Sequence, residues 1–224
     1  MGKRIALKDR DGFEFGGYLA EPEGARKAGL VVCQEIFGVN DYIESVCDFY
    51  AGAGYVTVAP ALFDRVERDV DIKYSMAGRD RGIAIAGKVG WDTALNDLDV
   101  AGGVLRSAGA KKVGVIGFCW GGSVAWLYAC RRRVDCAVAY YPGEIDHFPN
   151  EHAQSPTIIH IGEDDAVIPR EKLVAIQAAQ ADTPLYTYPG APHGFDNETR
   201  PKYNAETARL ARERTLQFLA KNLS

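Results

Sequence analysis

The sequence predicts a mostly parallel α/β sheet flanked by helices on both faces, and three observations carry that expectation. Strand-like and helix-like runs alternate along most of the chain, the pattern of parallel strands joined by crossover helices. Several strand-like runs are continuously apolar, as in Leu30-Val31-Val32-Cys33 and Val113-Gly114-Val115-Ile116, which suits strands covered on both faces. The chain has 224 residues and is 47% hydrophobic, enough for one substantial core.

The elements follow in order. Residues 13–20 alternate after a turn at Asp11-Gly12, which points to an antiparallel edge hairpin. Further strands are expected at 30–34, 55–59, 112–116, 134–140, 157–161 and 185–188. Helices are expected between most of them, at 42–53, 93–107, 123–130, 171–181 and 205–221. Residues 64–90 are rich in Arg and Asp and lack a clean period. They read as a partial lid or a loop–helix insertion over the site. With no internal repeat, low-complexity stretch or linker, residues 1–224 are expected to form a single domain.

Composition narrows the function classes. The net charge of −4 and a pI near 5.6, with no dense basic stripe, argue against a nucleic-acid partner. The one tight basic run, Arg131-Arg132-Arg133, closes an expected helix and reads as favourable charge at its C-terminus. No apolar stretch approaches the ~20 residues that span a bilayer, and the N-terminus carries no secretory pattern and no myristoylation pattern. A cytoplasmic protein without a membrane partner is the expectation. The five cysteines are an odd number, which speaks against a disulfide framework. Cys33, Cys47, Cys130 and Cys136 lie in apolar surroundings and read as small core residues. No CxxC pair is present, so no metal site is expected.

Cys119 is different. It stands in Gly117-Phe118-Cys119-Trp120-Gly121-Gly122, after an apolar strand-like run and before a helix-like one. That is the context of a nucleophile elbow, a strained turn that needs small neighbours, with cysteine where serine is usual. The attacking species is a thiolate, so a base and a favourable field are required. The field comes from the helix that Cys119 opens. A base is available at His193, in Ala191-Pro192-His193-Gly194-Phe195 after the last expected strand. Carboxylates are available in Gly162-Glu163-Asp164-Asp165 after the 157–161 strand. Nucleophile, acid and histidine in that chain order, each after a strand end, is the α/β-hydrolase order. Each residue alone has a blander reading: a close-packed thiol, a loop histidine, or an aspartate capping the helix near Pro169.

Four segments together resemble the dienelactone hydrolase family: Gln34-Glu35-Ile36-Phe37-Gly38-Val39-Asn40, Gly117-Phe118-Cys119-Trp120-Gly121-Gly122, Asp165-Ala166-Val167-Ile168-Pro169 and Pro192-His193-Gly194-Phe195. The resemblance runs from about residue 10 to the C-terminus. It implies an α/β-hydrolase fold and a Cys119–His193–Asp165 triad, with Asp165 preferred to Asp164 by its distance from Pro169. It implies a fourth catalytic residue, Glu35, which in the family helps deprotonate the thiol; the alternative is a helix cap near Asn40. It implies an oxyanion hole from the backbone N–H groups of Ile36 and Trp120, and Phe37 at the substrate.

The family's substrate carries a carboxylate held by arginines. Arg79 falls at the matching place for one of them, with Arg81 as a neighbour; both also read as a solvated charged loop. The position of the second is Asn197, and Arg200 is the candidate to replace it. The reading is a hydrolase that opens small activated enol lactones or esters without cofactor or metal, as a monomer or small homo-oligomer. A broader carboxylesterase is the alternative. A hydrolase-fold binding protein without turnover is the rival of another class.

Overall fold

Strand β3 (Ala28–Cys33) reads Ala-Gly-Leu-Val-Val-Cys, and all six residues are buried. A strand without a polar face is stable only where both of its faces are covered. The same holds for β4 (Tyr55–Pro60), β5 (Val113–Phe118), β6 (Cys136–Tyr140) and β7 (Thr157–Gly162). The computed structural model describes residues 2–26, 28–201 and 203–224. It divides into two compact units, Met1–Val115 and Ile116–Ser224, with the division inside β5.

In the first unit β1 (Lys3–Lys8) and β2 (Glu14–Ala20) form an antiparallel hairpin, from Lys3 opposite Leu19 to Lys8 opposite Glu14. β2 then pairs antiparallel with β4, and β4 pairs parallel with β3. The strand order is β1-β2-β4-β3-β5. The expected antiparallel edge hairpin is present, with β1 as its outer strand and β2 as its inner one. Charges at positions 3, 4 and 8 hide β1 in the sequence, and only Leu7 is buried.

Helix α1 (Asp41–Gly52) starts at Asn40, whose side chain accepts from the Ile43 N–H. The 64–90 segment resolves into a short 3-10 turn (Leu62–Arg65), an irregular stretch, and helix α2 (Met76–Val89), capped by Ser75. Gly78, Gly82 and Gly87 weaken the helical signal of α2. Only Gly82, Ile85, Ala86 and Val89 in it are buried, so its apolar stripe is short. Helix α3 (Trp91–Ser107) begins after the single residue Gly90, whose φ of 72° turns the chain between the two helices. The buried Asp97 of α3 is held by Arg65, whose Nε lies 3.1 and 3.2 Å from its two oxygens.

The second unit has the order β5-β6-β7-β8, with β8 (Leu185–Tyr188) parallel to β7 and β7 parallel to β6. Its helices are α4 (Trp120–Arg131), α5 (Arg170–Ala179) and α6 (Ala205–Leu223). Arg131 lies in the last turn of α4, as its basic run suggests, and also pairs with Glu151. Across this unit runs a buried polar network. His160 of β7 bonds through Nδ1 to Tyr188 Oη at 2.7 Å and through Nε2 to Thr215 Oγ1 at 3.1 Å. Tyr140 Oη meets the same Thr215 at 2.8 Å. Burial disfavours the charged ring and pushes His160 down to about 3, so it is neutral.

Mostly parallel strands alternating with helices are thus observed as expected. Cys33, Cys47 and Cys136 are buried, whereas Cys130, expected in the core, is half-buried. No described helix is long and apolar enough to cross a membrane.

Candidate active site

The elbow forms because two glycines allow backbone to touch backbone. A Cβ on Gly117 would stand 1.9 Å from the Gly121 carbonyl oxygen, and one on Gly122 would stand 2.4 Å from that of Tyr140. Cys119, between them, has φ 57° and ψ −122°, a conformation that costs a side-chain-bearing residue roughly 1–3 kcal/mol. It is held there from both sides: its N–H donates to Tyr140 O at 3.0 Å, and its carbonyl accepts from Ser123 N–H at 3.1 Å. Helix α4 begins at the next residue rather than at Ser123. Cys119 is therefore the N-cap itself, at the positive end of the helix.

Asp165 divides its two oxygens. Oδ1 accepts from the N–H groups of Val167 at 2.7 Å and Ile168 at 3.0 Å, which fixes the loop after β7. Oδ2 lies 2.7 Å from His193 Nδ1. Helix α5 takes Pro169 as its N-cap with no side-chain bond, so Asp165 is not its cap. Because a carboxylate only accepts, Nδ1 of His193 carries the proton and Nε2 is the basic nitrogen. Nε2 is buried and makes no hydrogen bond among the described residues. Burial works against a charged ring, yet His193 is raised to about 10. The charge of Cys119 leads that rise, with the Asp165 hydrogen bond and a further contribution from the thiol. His193 thus lies in the field of both Cys119 and Asp165. Tyr141, at φ 37°, sets its ring against His193 with centroids 4.9 Å apart.

In the first unit Glu35 follows β3 and is fully buried. Asn40, not Glu35, caps α1. Tyr74 Oη donates to Glu35 Oε2 at 3.0 Å, and the Tyr74 ring lies 4.4 Å from that of Phe37. Ile36 is nearly buried, and its carbonyl oxygen would stand 2.0 Å from a Cβ on Gly82, so α2 packs directly on the 35–37 turn.

The arginines separate. Arg79 is exposed near the start of α2. Arg81, a candidate for substrate binding, is engaged on the surface with Glu67, because two long exposed side chains of opposite charge face each other there. Arg200 packs its guanidinium over Gly194, next to His193. Asn197 is fully buried, and its Oδ1 accepts from the Thr199 N–H at 3.0 Å and hydroxyl at 2.7 Å. Tyr74 and Tyr141 escape sequence reasoning: one sits in the irregular segment, the other behind a strand with nothing to mark its strain. Asn40 had a signal, since an asparagine just before an apolar helical run is a cap pattern.

The model of the dienelactone hydrolase family matches residues 15–223. This chain belongs to that family. It is similar to a provisionally named carboxymethylenebutenolidase of Azospirillum brasilense, at 33% identity over 98% of both chains. It is also similar to the carboxymethylenebutenolidase of Pseudomonas putida, at 29% identity over 96% of this chain and 95% of that one. The crystal structure of a provisionally named dienelactone hydrolase from Klebsiella pneumoniae superposes with a TM-score of 0.86. Its identity is 25%, and 99% of this chain and 98% of that one are covered. The fold is accordingly the α/β-hydrolase fold, and the protein is a carboxylic ester hydrolase of the dienelactone hydrolase type.

Proposed function

We propose that this dienelactone hydrolase family member opens small activated lactones or esters through a Cys119 thiolate and an acyl-enzyme. The observation that carries the reading is the 2.7 Å Asp165–His193 bond, beside a strained Cys119 whose charge raises His193. His193 Nε2 takes the Sγ proton, and the thiolate adds to the substrate carbonyl. The carbonyl electron pair moves to oxygen, for which the family resemblance assigns the N–H groups of Trp120 and Ile36 as donors. The pair returns, the carbon–oxygen bond of the ring breaks, and the leaving oxygen departs as an enolate that accepts the proton held by His193. Water then adds to the thioester with His193 as base, and the thiol is restored. The family resemblance assigns Glu35 to help ionise the thiol.

A thiolate is a better leaving group than an alkoxide. An ordinary alkyl ester would therefore expel the enzyme rather than its alcohol, whereas an enolate competes well; this favours activated substrates. A broader esterase is the second reading. Asn197 favours it, because the arginine expected there for a substrate carboxylate is replaced by an amide whose oxygen is committed to Thr199.

Replacing Cys119 by alanine is expected to lower kcat at least about a thousandfold while melting stays cooperative; parental turnover would end the thiol mechanism. Comparing kcat/KM for a carboxylated enol lactone and its methyl ester separates the two readings. Equal values favour the broader esterase, and a strong preference for the free acid favours the dienelactone type.

A further inference from the structure

A polar chain in the first unit ends on Glu35, and its direction is set by a helix cap. Asn40 Oδ1 accepts from the Ile43 N–H at 3.3 Å. With the amide oxygen so committed, the amide nitrogen is the group that reaches Tyr74, and it donates to Tyr74 Oη at 2.9 Å. The phenol oxygen therefore accepts from behind, and its single hydrogen points forward to Glu35 Oε2 at 3.0 Å. Reversal is disfavoured, because turning the Asn40 amide would lose the α1 cap.

The segment that delivers Tyr74 is bound to the turn carrying Glu35. The Ile72 N–H donates to Phe37 O at 3.0 Å. The Tyr74 ring lies against Phe37. Val70 O comes so near Gly38 that a Cβ there would be 1.8 Å away, and Gly38 holds φ 91°. The phenol is thus delivered by a stretch with little freedom to move.

We propose that Tyr74 is a positioning residue for Glu35, aligned in turn by Asn40. This rests on the reading that Glu35 assists the Cys119 thiol. A glutamate has three rotatable side-chain bonds, and a buried one without a fixed donor samples several orientations. A phenol hydrogen of set direction holds one oxygen and so fixes the plane of the carboxylate. A hydrogen bond to the ionised form is also the stronger one.

The test uses the full chain with p-nitrophenyl acetate as an activated ester. Tyr74→Phe keeps the ring on Phe37 and removes only the hydroxyl. It is expected to lower kcat roughly tenfold with KM within about twofold and melting unchanged. Asn40→Asp keeps an acceptor for the α1 cap but cannot donate to Tyr74, and it should lower kcat in the same direction. In a Glu35→Gln background, Tyr74→Phe should have no further effect. An equal loss in that background, or a parental kcat for Tyr74→Phe where Glu35→Gln is impaired, overturns the positioning role alone. A parental kcat for Glu35→Gln itself overturns both the proposal and the reading beneath it.

Discussion

At Asp165 the two carboxylate oxygens have separate duties, and an isosteric change can tell them apart. In Asp165→Asn the amide oxygen would stay with the Val167 and Ile168 N–H groups, because those donors need an acceptor. The amide NH2 would then face His193 Nδ1. That nitrogen would become an acceptor, the ring proton would move to Nε2, and the basic lone pair would be lost from the side the thiol needs. Turnover is expected to fall by about 10⁴-fold, the scale of tautomer reversal in a serine triad, while the melting temperature changes little. Steady-state kcat and a thermal melt on one preparation check this. A loss of activity matched by unfolding would instead assign Asp165 to the loop alone. Arg81, near the place expected for a substrate arginine, pairs on the surface with Glu67.

Among the elements, α2 is the one whose sequence and structure disagree most, and its glycines explain why. Gly87 faces open space at ordinary helical φ, so Gly87→Ala should stabilise the protein by about 0.5–1 kcal/mol through helix propensity. Gly82 has the same propensity argument, but an added Cβ would meet the Ile36 carbonyl oxygen at 2.0 Å. Gly82→Ala should therefore destabilise, by roughly 1–3 kcal/mol, and, on the proposed roles of Ile36 and Glu35, should lower kcat by displacing the turn that bears them. Urea titrations of the two variants decide the signs. A stabilised Gly82→Ala would mean that α2 shifts freely over that turn. A propensity scan penalises both glycines alike and so loses the helix; only the structure separates the one that a close approach requires.

For the whole molecule, the His160 network ties stability to pH. Its folded-state value is depressed to about 3 from an ordinary 6.5, so below 6.5 the unfolded chain takes up a proton that the folded chain refuses. Stability should then fall as pH drops, by about 1.4 kcal/mol per pH unit from this group until its folded value is reached. His160→Asn should be less stable at pH 7 and lose less between pH 6.5 and 4.5, as read by melting temperature; equal slopes would remove His160 as the cause.

The fold was largely legible because its buried strands are unbroken apolar runs and its helices lie between them. The proposed triad residues stand out in the sequence because Cys119, Asp165 and His193 each follow a strand end with glycine or proline nearby, and the structure joins two of them, His193 and Asp165, by a hydrogen bond. β1 was not, since an edge strand needs few apolar residues. Neither was Tyr74, whose role depends on where an irregular stretch lies against the turn after β3.

The placement of the cysteines has a practical consequence. Cys33 and Cys47 are sealed in the interior with thiols pushed far up by burial, and half-buried Cys130 is pushed up to about 12. At neutral pH these three hold almost no nucleophile to offer a soluble alkylating reagent, and Cys136 is sealed from it. On the proposed chemistry a brief exposure to iodoacetamide marks Cys119 first. The mass gained per chain then counts competent molecules directly, giving a stoichiometric titrant by which any turnover number for this enzyme can be put on an absolute scale.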